Sequence, residues 1–285
     1  MLYVVATPIG NLGDISSRAL EILSTCDLIA AEDTRHTQKL LTHFQIKKPL
    51  ISYYEHNKAS RGPLLLEKLR NGETIALVSD AGTPGISDPG ADLIKAAAEE
   101  GIPVSMAPGP VAGIMALVLS GLPTDKFVFE GFIGTDRKRR EEFVRMITVE
   151  KRTVILYEAP HRLLKTLELL KEAIPDRQTA VCRELTKTYE EIRRGIPAEQ
   201  LAYFTAQEPR GEFVIVIEGA QQQEAPCETV TPEAVYRKTE SILKESAESG
   251  ECKSKNDALK EAAKEFGISK NQAYALYEEI KKTRS

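Results

Sequence analysis

The stretch that decides the fold is Ser79-Asp-Ala-Gly-Thr-Pro-Gly-Ile-Ser-Asp-Pro-Gly90, which lies between an apolar run and a helical pattern. It contains three glycines, two prolines and two aspartates, whereas a plain strand-to-helix connection needs only about 2–6 residues. Open α/β sheets bind their ligands in loops at the carboxyl ends of the strands. The segment is therefore predicted to be a ligand-binding loop on an α/β fold.

Apolar runs and helical patterns alternate on both sides of this loop. Amphipathic segments such as Pro160–Ile174, whose leucines share one helical face, separate short runs rich in Val and Ile. Strands that are apolar throughout and alternate with helices indicate a sheet covered on both faces, so the predicted fold class is α/β. The predicted strands are Leu2–Ala6, Leu28–Ala31, Thr74–Ser79, Val104–Ala107, Phe127–Glu130, Thr153–Tyr157, Thr179–Cys182 and Phe213–Glu218.

Two further loops follow predicted strands and precede helices. They are Thr7-Pro-Ile-Gly-Asn-Leu-Gly-Asp14 and Ala107-Pro-Gly-Pro-Val-Ala-Gly113. Neither the G-x-G-x-x-G dinucleotide motif nor the P-loop motif is present. Each loop alone is also compatible with a plain connection, but three such loops together predict one crevice for a small ligand, held by backbone and aspartate without a metal.

Two breaks in the pattern predict three parts of the chain. Ser120-Gly-Leu-Pro-Thr-Asp125 interrupts the alternation, and the β signal ends in the segment Gly219–Glu228. The predicted parts are an N-terminal α/β subdomain at 1–119, a second α/β subdomain at 120–222 and a helical module at 229–285.

The third part has the signals of consecutive helices. Thr231-Pro232-Glu233 is typical of a helix start. Ser254–Asp257 and Ser269–Gln272 fit, or nearly fit, the capping-box pattern, and Gly267 stands where a helix end favours a left-handed residue. We predict a helix-turn-helix-like unit.

The charge pattern limits the classes of partner. The 285 residues carry 38 Lys and Arg against 42 Asp and Glu, a net charge of −4, which argues against a uniformly basic nucleic-acid-binding protein. The run Asp136-Arg-Lys-Arg-Arg140, which we place on a loop, and a tail with eight Lys and Arg against six acidic residues after Gly250 are local exceptions. We expect the run to contact RNA phosphates, with a solvated helix start as the alternative.

The cysteines and the apolar runs indicate the compartment. No charged segment with a cleavage site follows Met1, and the longest apolar stretch, Val111–Leu122, is too short to span a bilayer. The cysteines are scattered, without a C-x-x-C pair, so we expect a soluble cytoplasmic protein with reduced and mostly packed thiols. They are Cys26, Cys182, Cys227 and Cys252.

Four motifs together resemble a known family. They are Leu2-Tyr-Val-Val-Ala-Thr-Pro-Ile-Gly-Asn-Leu-Gly-Asp-Ile-Ser16, Ala31-Glu-Asp-Thr-Arg35, Val78-Ser-Asp-Ala-Gly-Thr-Pro-Gly-Ile-Ser-Asp-Pro-Gly90 and Cys182-Arg-Glu-Leu-Thr-Lys187. The chain resembles, over nearly its whole length, the ribosomal RNA small subunit methyltransferase I family of the tetrapyrrole methylase superfamily. The resemblance implies S-adenosylmethionine in a cleft between two α/β subdomains, a helical C-terminal module and a homodimer. It further implies 2′-O-methylation of a cytidine ribose in 16S rRNA, within the small ribosomal subunit or a late assembly intermediate.

The same resemblance implies the residues that contact the cofactor. The first loop, Thr7-Pro-Ile-Gly-Asn11, departs from the Gly-x-Gly-x-Gly-Asp form of the tetrapyrrole enzymes. The implied cofactor contacts are Pro8, Gly10, Asp80, Gly82, Ile86, Pro110, Val111, Tyr157, Leu185 and Gly211.

The proposed reaction also requires polar groups that act on the RNA. A 2′-hydroxyl is a weak nucleophile, so a positioned base should accept its proton. Helix capping at Glu32–Arg35, a surface ion pair at Glu184–Lys187 and a structural role for His56 are the alternatives. The catalytic candidates are Asp33, Glu184 and Lys187, and the candidates for RNA contact are Arg35, His56, Arg137, Lys138, Arg139 and Arg140.

Two other functions compete with this one. A tetrapyrrole methyltransferase would use the same cofactor on a porphyrinoid or corrinoid, but it has no evident use for the basic run and the helical tail. A nucleic-acid-binding regulator would use the helix-turn-helix without catalysis, but the weak charge of the tail argues against it.

Overall fold

The computed structural model describes residues 1–221, 230–248 and 253–284, and it divides into two compact units, Met1–Gln221 and Gln222–Ser285. The strands of the first unit are β1 (Leu2–Val5), β2 (Leu28–Ala31), β3 (Leu50–Ser52), β4 (Ile75–Val78), β5 (Val104–Ala107), β6 (Phe127–Phe132), β7 (Thr153–Glu158), β8 (Thr179–Arg183), β9 (Glu191–Gly195) and β10 (Phe213–Ile217). Its helices are α1 (Ser17–Thr25), α2 (Thr34–His43), α3 (Lys58–Arg70), α4 (Ala91–Glu99), α5 (Ala112–Ser120), α6 (Arg137–Val149), α7 (Pro160–Ala173) and α8 (Pro197–Ala206).

The first sheet is parallel throughout, with strand order β3-β2-β4-β1-β5. One face packs against Leu23 of α1 and Leu41 of α2, and the other against Leu65 of α3 and Leu93 of α4. Both faces are therefore covered, which explains the unbroken apolar runs and confirms the predicted α/β class.

The second sheet is mixed, with strand order β6-β7-β10-β8-β9. Only the β6–β7 pair is parallel, and the other neighbours are antiparallel. Helix α5 covers one face through Ala116 and Leu117, and α6, α7 and α8 cover the other through residues such as Phe143, Leu167 and Phe204. All eight predicted strands exist.

The sequence prediction missed two strands, β3 and β9. Both lie at the edge of a sheet, and none of their residues is fully buried. Strand β9 reads Glu-Ile-Arg-Arg-Gly, without the apolar pattern of the central strands. Edge strands pair on one side only, so their sequences need not be apolar.

The placement of Arg137–Arg140 on a loop is wrong, because these residues form the first turn of α6. The side chain of Asp136 accepts a hydrogen bond from the backbone N–H of Arg139 at 3.0 Å and caps the helix. Arginine and lysine are good helix formers, and a capping residue directly before them is sufficient to start a helix.

The second unit consists, in its described residues, of α9 (Pro232–Glu248), α10 (Lys255–Glu265) and α11 (Lys270–Arg284). Ser254 caps α10, and Gly267 adopts a φ of 65° between α10 and α11. The predicted helix-turn-helix-like unit is thereby confirmed.

Two of the four cysteines lie in the described residues. Cys26 and Cys182 are buried free thiols, as expected, whereas Cys227 and Cys252 lie outside the described residues. Among the described residues, no helix combines the length and the apolar character needed to cross a membrane.

Candidate active site

The order of the first sheet brings three loops together at its carboxyl edge. Because β1 and β4 are neighbours, the loops that follow them meet, and Thr7 and Gly82 exchange two backbone hydrogen bonds of 2.8 and 3.0 Å. Strand β2 also pairs with β4, so the backbone N–H of Asp33 donates to Oδ1 of Asp80 at 3.0 Å. Parallel strands end at the same edge, which is where such sheets bind ligands.

The loop at 79–90 keeps a compact shape through residues in the left-handed region. Gly82 has a φ of 78° and Gly90 a φ of 133°. A Cβ atom on Gly90 would lie 2.9 Å from Cδ2 of Leu77, too close for a real contact. Ser87 adopts a φ of 62° although it is not glycine, which is a conformation that side chains disfavour.

The second sheet closes the site from the opposite side. The ends of β6, β7 and β8 and the start of β10 face one cavity of about 440 Å³ that the loops of the first sheet also line. The N–H of Gly113 donates to the hydroxyl oxygen of Tyr157 at 3.1 Å, and this bond joins α5 to β7 beside the cavity. Burial raises the pKa of Tyr157, so its hydroxyl keeps its proton at neutral pH.

Five acidic residues line this cavity, and they are Glu32, Asp80, Asp88, Glu158 and Glu212. Burial raises the pKa of Asp88 to about 7, and the charge of Glu32 contributes to the shift. Burial also raises the pKa of Glu32, with further contributions from the charges of Asp80 and Asp33. A cavity with this charge favours a cationic ligand, which would stabilise the ionised form of each carboxyl.

A strained loop with a charged cluster borders the cavity. Glu184 and Thr186 have φ values of 49° and 66°. Nζ of Lys187 donates to Oε1 of Glu184 and to Oε2 of Glu212, both at 2.9 Å. Burial opposes the charge of Lys187, but these two bonds outweigh it and raise the pKa of Lys187. Burial would raise the pKa of Glu184, yet the bonds from Lys187 and from the backbone of Glu212 lower it.

The structure brings most of the predicted cofactor contacts to this cavity. Three others lie just outside it: Pro8 lines an adjacent cavity of about 150 Å³, Gly10 packs against the loop at 185–187, and the carbonyl of Pro110 accepts a bond from Thr83. The predicted contacts that line the main cavity are Asp80, Gly82, Ile86, Val111, Tyr157, Leu185 and Gly211.

The predicted catalytic and RNA-contacting residues are more dispersed. Asp33 caps α2 and forms an ion pair of 2.6 Å with Arg35, and hydrogen bonds from Arg35 lower the pKa of Asp33. His56 is exposed next to the ring of Tyr54 and does not line the cavity. The run Arg137–Arg140 lies on α6, which follows β6 closely in the chain.

Sequence reasoning missed several residues of the site. Asp88 belongs to the loop at 79–90, which the sequence predicts to bind a ligand. The turn-rich sequence of that loop is the signal that could have identified Asp88. Glu212 follows Gly211 directly, and Phe132 lies in the segment that precedes the basic run. Glu158 and Arg162 form an ion pair at the end of β7, and no local sequence pattern announces that their side chains meet.

Similarity to known proteins identifies the family to which the chain belongs. The family model described as Tetrapyrrole (Corrin/Porphyrin) Methylases matches residues 1–201. A Synechocystis protein named ribosomal RNA small subunit methyltransferase I is 48% identical over 281 residues, which cover 98% of each chain. A protein of the same name from Halalkalibacterium halodurans is 44% identical and covers 97% of this chain and 94% of its own. The chain belongs to the ribosomal RNA small subunit methyltransferase I family within the tetrapyrrole methylases.

A solved tetrapyrrole methylase shows the same fold. The uroporphyrin-III C-methyltransferase of Thermus thermophilus, solved in complex with S-adenosyl homocysteine, superimposes with a TM-score of 0.53 at 18% identity. The match covers 76% of this methyltransferase I family member and 96% of the solved chain. At this identity the likeness supports a common fold, and the predicted two-subdomain tetrapyrrole-methylase architecture is thereby confirmed.

Proposed function

We propose that this chain is an S-adenosylmethionine-dependent methyltransferase that methylates the 2′-oxygen of a cytidine ribose in 16S rRNA. The observation that carries the proposal is the identity of 48% over 98% of the chain to a protein named for small-subunit rRNA methylation. Its substrate would be the small ribosomal subunit or a late assembly intermediate, and its location would be the cytoplasm, where ribosomes are found.

The cavity has the chemistry that S-adenosylmethionine requires. The cofactor carries a sulfonium and an ammonium group, and Glu32, Asp80 and Asp88 place carboxyl groups at the cavity to match them. Ile9 and Val111 supply apolar wall against which an adenosine can pack. We assign the remaining contacts to the predicted residues that line the cavity, together with Pro8, Gly10 and Pro110 at its border.

The protein contributes alignment and electrostatics to the reaction. The bound cofactor supplies an activated methyl group. The hydroxyl proton passes to solvent, the 2′-oxygen forms the new bond to the methyl carbon, and the sulfur keeps the electron pair of the bond that breaks. The chain must hold the ribose oxygen in line with the methyl group and exclude water.

Lys187 is the best placed of the predicted catalytic residues. Its raised pKa keeps it protonated, so it acts as a positive charge that stabilises the developing negative charge on the 2′-oxygen. Glu184 then orients Lys187 through the 2.9 Å bond. Hydrogen bonds from Arg35 lower the pKa of Asp33, which makes Asp33 a weak base, and we assign it the role of holding Asp80 and Arg35 in place.

Cationic surfaces outside the cavity would bind the RNA backbone. Cations in the first turn of a helix oppose its dipole and cost about 0.3–1 kcal/mol each, and the i,i+4 ion pair of Arg137 with Glu141 offsets this cost only in part. We propose that this run, Arg35 and His56 contact RNA, and that the helical module at 229–285 adds further contacts. Deletion of the module should weaken RNA methylation and leave cofactor binding intact.

The proposed homodimer has a structural basis in exposed apolar side chains of the first unit. Edge strand β5 exposes Val104 and Met106, helix α5 exposes Val118, and edge strand β6 exposes Phe129. Monomeric proteins rarely expose several large apolar groups along unpaired strands. Sedimentation of the full chain at micromolar concentration measures the oligomeric state.

A methyl-transfer assay tests the proposed function. The chain is incubated with methyl-labelled S-adenosylmethionine and either small ribosomal subunits or a porphyrinoid, and the RNA is digested to nucleosides. We expect label in 2′-O-methylcytidine. Label on the porphyrinoid alone would replace the proposal by the tetrapyrrole alternative, and tight binding to duplex DNA without any transfer would favour the regulator.

A further inference from the structure

Phe132 is an aromatic side chain at the rim of the cavity, and the reaction described above does not use it. It ends strand β6 and lines the cavity, yet 49% of it is exposed. Its ring meets the edge of Tyr157 at 5.7 Å between centroids. A large apolar ring held half in a cavity and half in solvent has a free surface for a ligand that enters from outside.

A guanidinium group lies over the same ring. Cζ of Arg162 is 5.7 Å from the centroid of Phe132, within the range of a cation–π contact. Nε of Arg162 donates to Oε1 of Glu158 at 2.9 Å, and no other described residue accepts a bond from the terminal amino groups of Arg162. Those two groups therefore have no acceptor among the described residues, and 18% of the Arg162 side chain is exposed.

The partner of Arg162 is fixed by the surrounding chain. Glu158 is buried, and its Oε1 also accepts from the N–H of Ala159 at 2.8 Å, while its Oε2 accepts from the hydroxyl of Thr166 at 2.6 Å. Burying an ion pair costs free energy of desolvation that a pair of apolar residues would avoid. A buried carboxylate with three donors fixes the direction of the guanidinium.

We infer that Phe132 and Arg162 form a binding site for an unstacked nucleobase of the RNA substrate, an inference that rests on the proposed function. A methyltransferase that selects one nucleotide of a structured RNA can read its base where the base is unstacked, as in loops and bulges. Unstacked bases are recognised by stacking on aromatic rings or on arginine planes and by hydrogen bonds to their edges. Phe132 provides the ring, and Arg162 provides donors for the oxygen and nitrogen acceptors of the base.

The neighbouring charges suit an RNA strand that reaches this ring. The chain continues from Phe132 through Gly134 and Asp136 directly into the cations of α6, and a Cβ atom on Gly134 would lie 3.9 Å from Cδ of Arg139. A base on Phe132 would thus place its flanking phosphates close to a basic helix start. The carboxylates of the cavity, by contrast, would repel phosphates, so the base and its ribose enter while the backbone stays outside.

A substitution series at Phe132 tests the inference on small ribosomal subunits. Phe132→Leu keeps an apolar side chain without a ring, and Phe132→Tyr keeps the ring. Phe127→Leu is the matched control, because Phe127 is a similarly exposed ring on the same strand that does not line the cavity. We expect Phe132→Leu to lower kcat/KM for the subunits roughly 5- to 100-fold, the effect typical of one lost base-stacking contact. Phe132→Tyr and Phe127→Leu should stay within about twofold of the original protein.

A fluorescence measurement separates the nucleobase from the adenine of the cofactor. The chain contains no tryptophan, so Phe132→Trp introduces a single reporter. We expect S-adenosylmethionine alone to leave its emission unchanged and to bind Phe132→Leu with unchanged affinity. Quenching by the cofactor, together with weaker cofactor binding by Phe132→Leu, would assign the ring to the adenine and overturn the inference.

Arg162 requires a second readout because it also contacts Glu158. Arg162→Lys keeps the charge and loses the planar donor pair, and it should raise KM for the subunits with little change in cofactor affinity. Equal kcat/KM values for Phe132→Leu and Phe127→Leu would also overturn the inference. If the original protein transfers no methyl group to the subunits, the proposed function itself fails, and that result is read from the same assay independently of the variants.

Discussion

The first sheet is parallel and brings carboxylates and backbone turns to the cavity, whereas the second sheet is mixed and brings aromatic rings and cations. Glu32, Asp80 and Asp88 come from loops of the first sheet. Phe132 and Lys187 come from the second, whose own cavity carboxylates are each paired with a cation, Glu212 with Lys187 and Glu158 with Arg162. The difference shows how one cavity can hold a cationic cofactor beside a polyanionic substrate.

The separation follows from strand direction. In the parallel sheet all strands end at one edge, so the loops at that edge can crowd together and hold a small ligand with backbone groups. In the mixed sheet the cavity receives strand ends from β6, β7 and β8 but a strand start from β10. The comparison predicts that substitutions of the cavity carboxylates of the first half weaken cofactor binding, and that substitutions of Phe132 and Lys187 in the second half affect the reaction with the RNA.

The largest effect is expected from Lys187→Met, which removes the positive charge and keeps the length of the side chain. Loss of a group that stabilises developing negative charge typically lowers kcat by about 10²–10³-fold. We expect that loss with cofactor affinity nearly unchanged, measured by single-turnover methyl transfer and by calorimetry. Lys171→Met, at the far end of α7, is the control and should retain full activity.

The next effect concerns Asp80→Asn in the first half. The substitution keeps the shape and the acceptor for the N–H of Asp33 but removes the charge that faces the cofactor. A hydrogen bond to a charged acceptor is stronger than one to a neutral acceptor. Replacing the first by the second should raise the dissociation constant of S-adenosylmethionine roughly 10- to 100-fold. Binding to small ribosomal subunits should be unaffected, as it should be in the exposed control Asp176→Asn. A loss of subunit binding in Asp80→Asn would contradict the assignment of this carboxylate to the cofactor alone.

A smaller effect is expected from pH. Burial raises the pKa of Asp88 to about 7, so the carboxyl is protonated at pH 6 and ionised at pH 8. A cationic cofactor favours the ionised form, and its dissociation constant should therefore fall with rising pH, by up to about tenfold per unit below the pKa. Asp88→Asn should flatten this profile in calorimetric titrations.

The protein without cofactor should respond to pH in the opposite direction. The folded state holds the proton of Asp88 more tightly than the unfolded chain does, so this group favours folding at acidic pH. Its contribution is lost as the pH rises through about 7. Thermal melts of the original protein and of Asp88→Asn across this range measure the difference, and identical slopes would contradict the assignment.

The smallest effect is expected from Lys138→Ala combined with Arg139→Ala. Neither side chain forms an ion pair or side-chain hydrogen bond within the described part of the chain, so the helix should persist. The logarithm of the binding constant for the subunits falls linearly with the logarithm of the salt concentration. Each lost phosphate contact lowers the magnitude of this slope by about 0.7–0.9. Lys47→Ala with Lys48→Ala, at the amino edge of the first sheet, is the matched control. A variant with an unchanged slope would exclude α6 from the RNA interface.

The sequence predicted those features that depend on local patterns. Central strands such as Leu28–Ala31 are apolar throughout, and the loop at 79–90 carries its own turn residues, so both were recognisable. The edge strands β3 and β9 were missed because a strand paired on one side needs no apolar pattern. The basic run was placed on a loop because the capping role of Asp136 was overlooked.

The composition of the site was harder to predict because it depends on pairing between distant segments. Asp33 and Asp80 meet only because β2 and β4 are neighbours, and Glu212 reaches Lys187 only because β10 lies beside β8. The pKa of Asp88 depends on burial, which no sequence pattern displays. The loops of the site were therefore predictable from the sequence, whereas its charge pairs and pKa shifts became known only from the structure.

The most direct test of this division measures two affinities on two variants. Asp80→Asn and Phe132→Leu are each titrated with S-adenosylmethionine by calorimetry and with small ribosomal subunits by sedimentation. The account predicts a crossed result: Asp80→Asn weakens cofactor binding alone, and Phe132→Leu weakens subunit binding alone. If each variant weakened both affinities by similar factors, the two halves would not divide the ligands and the account would be contradicted.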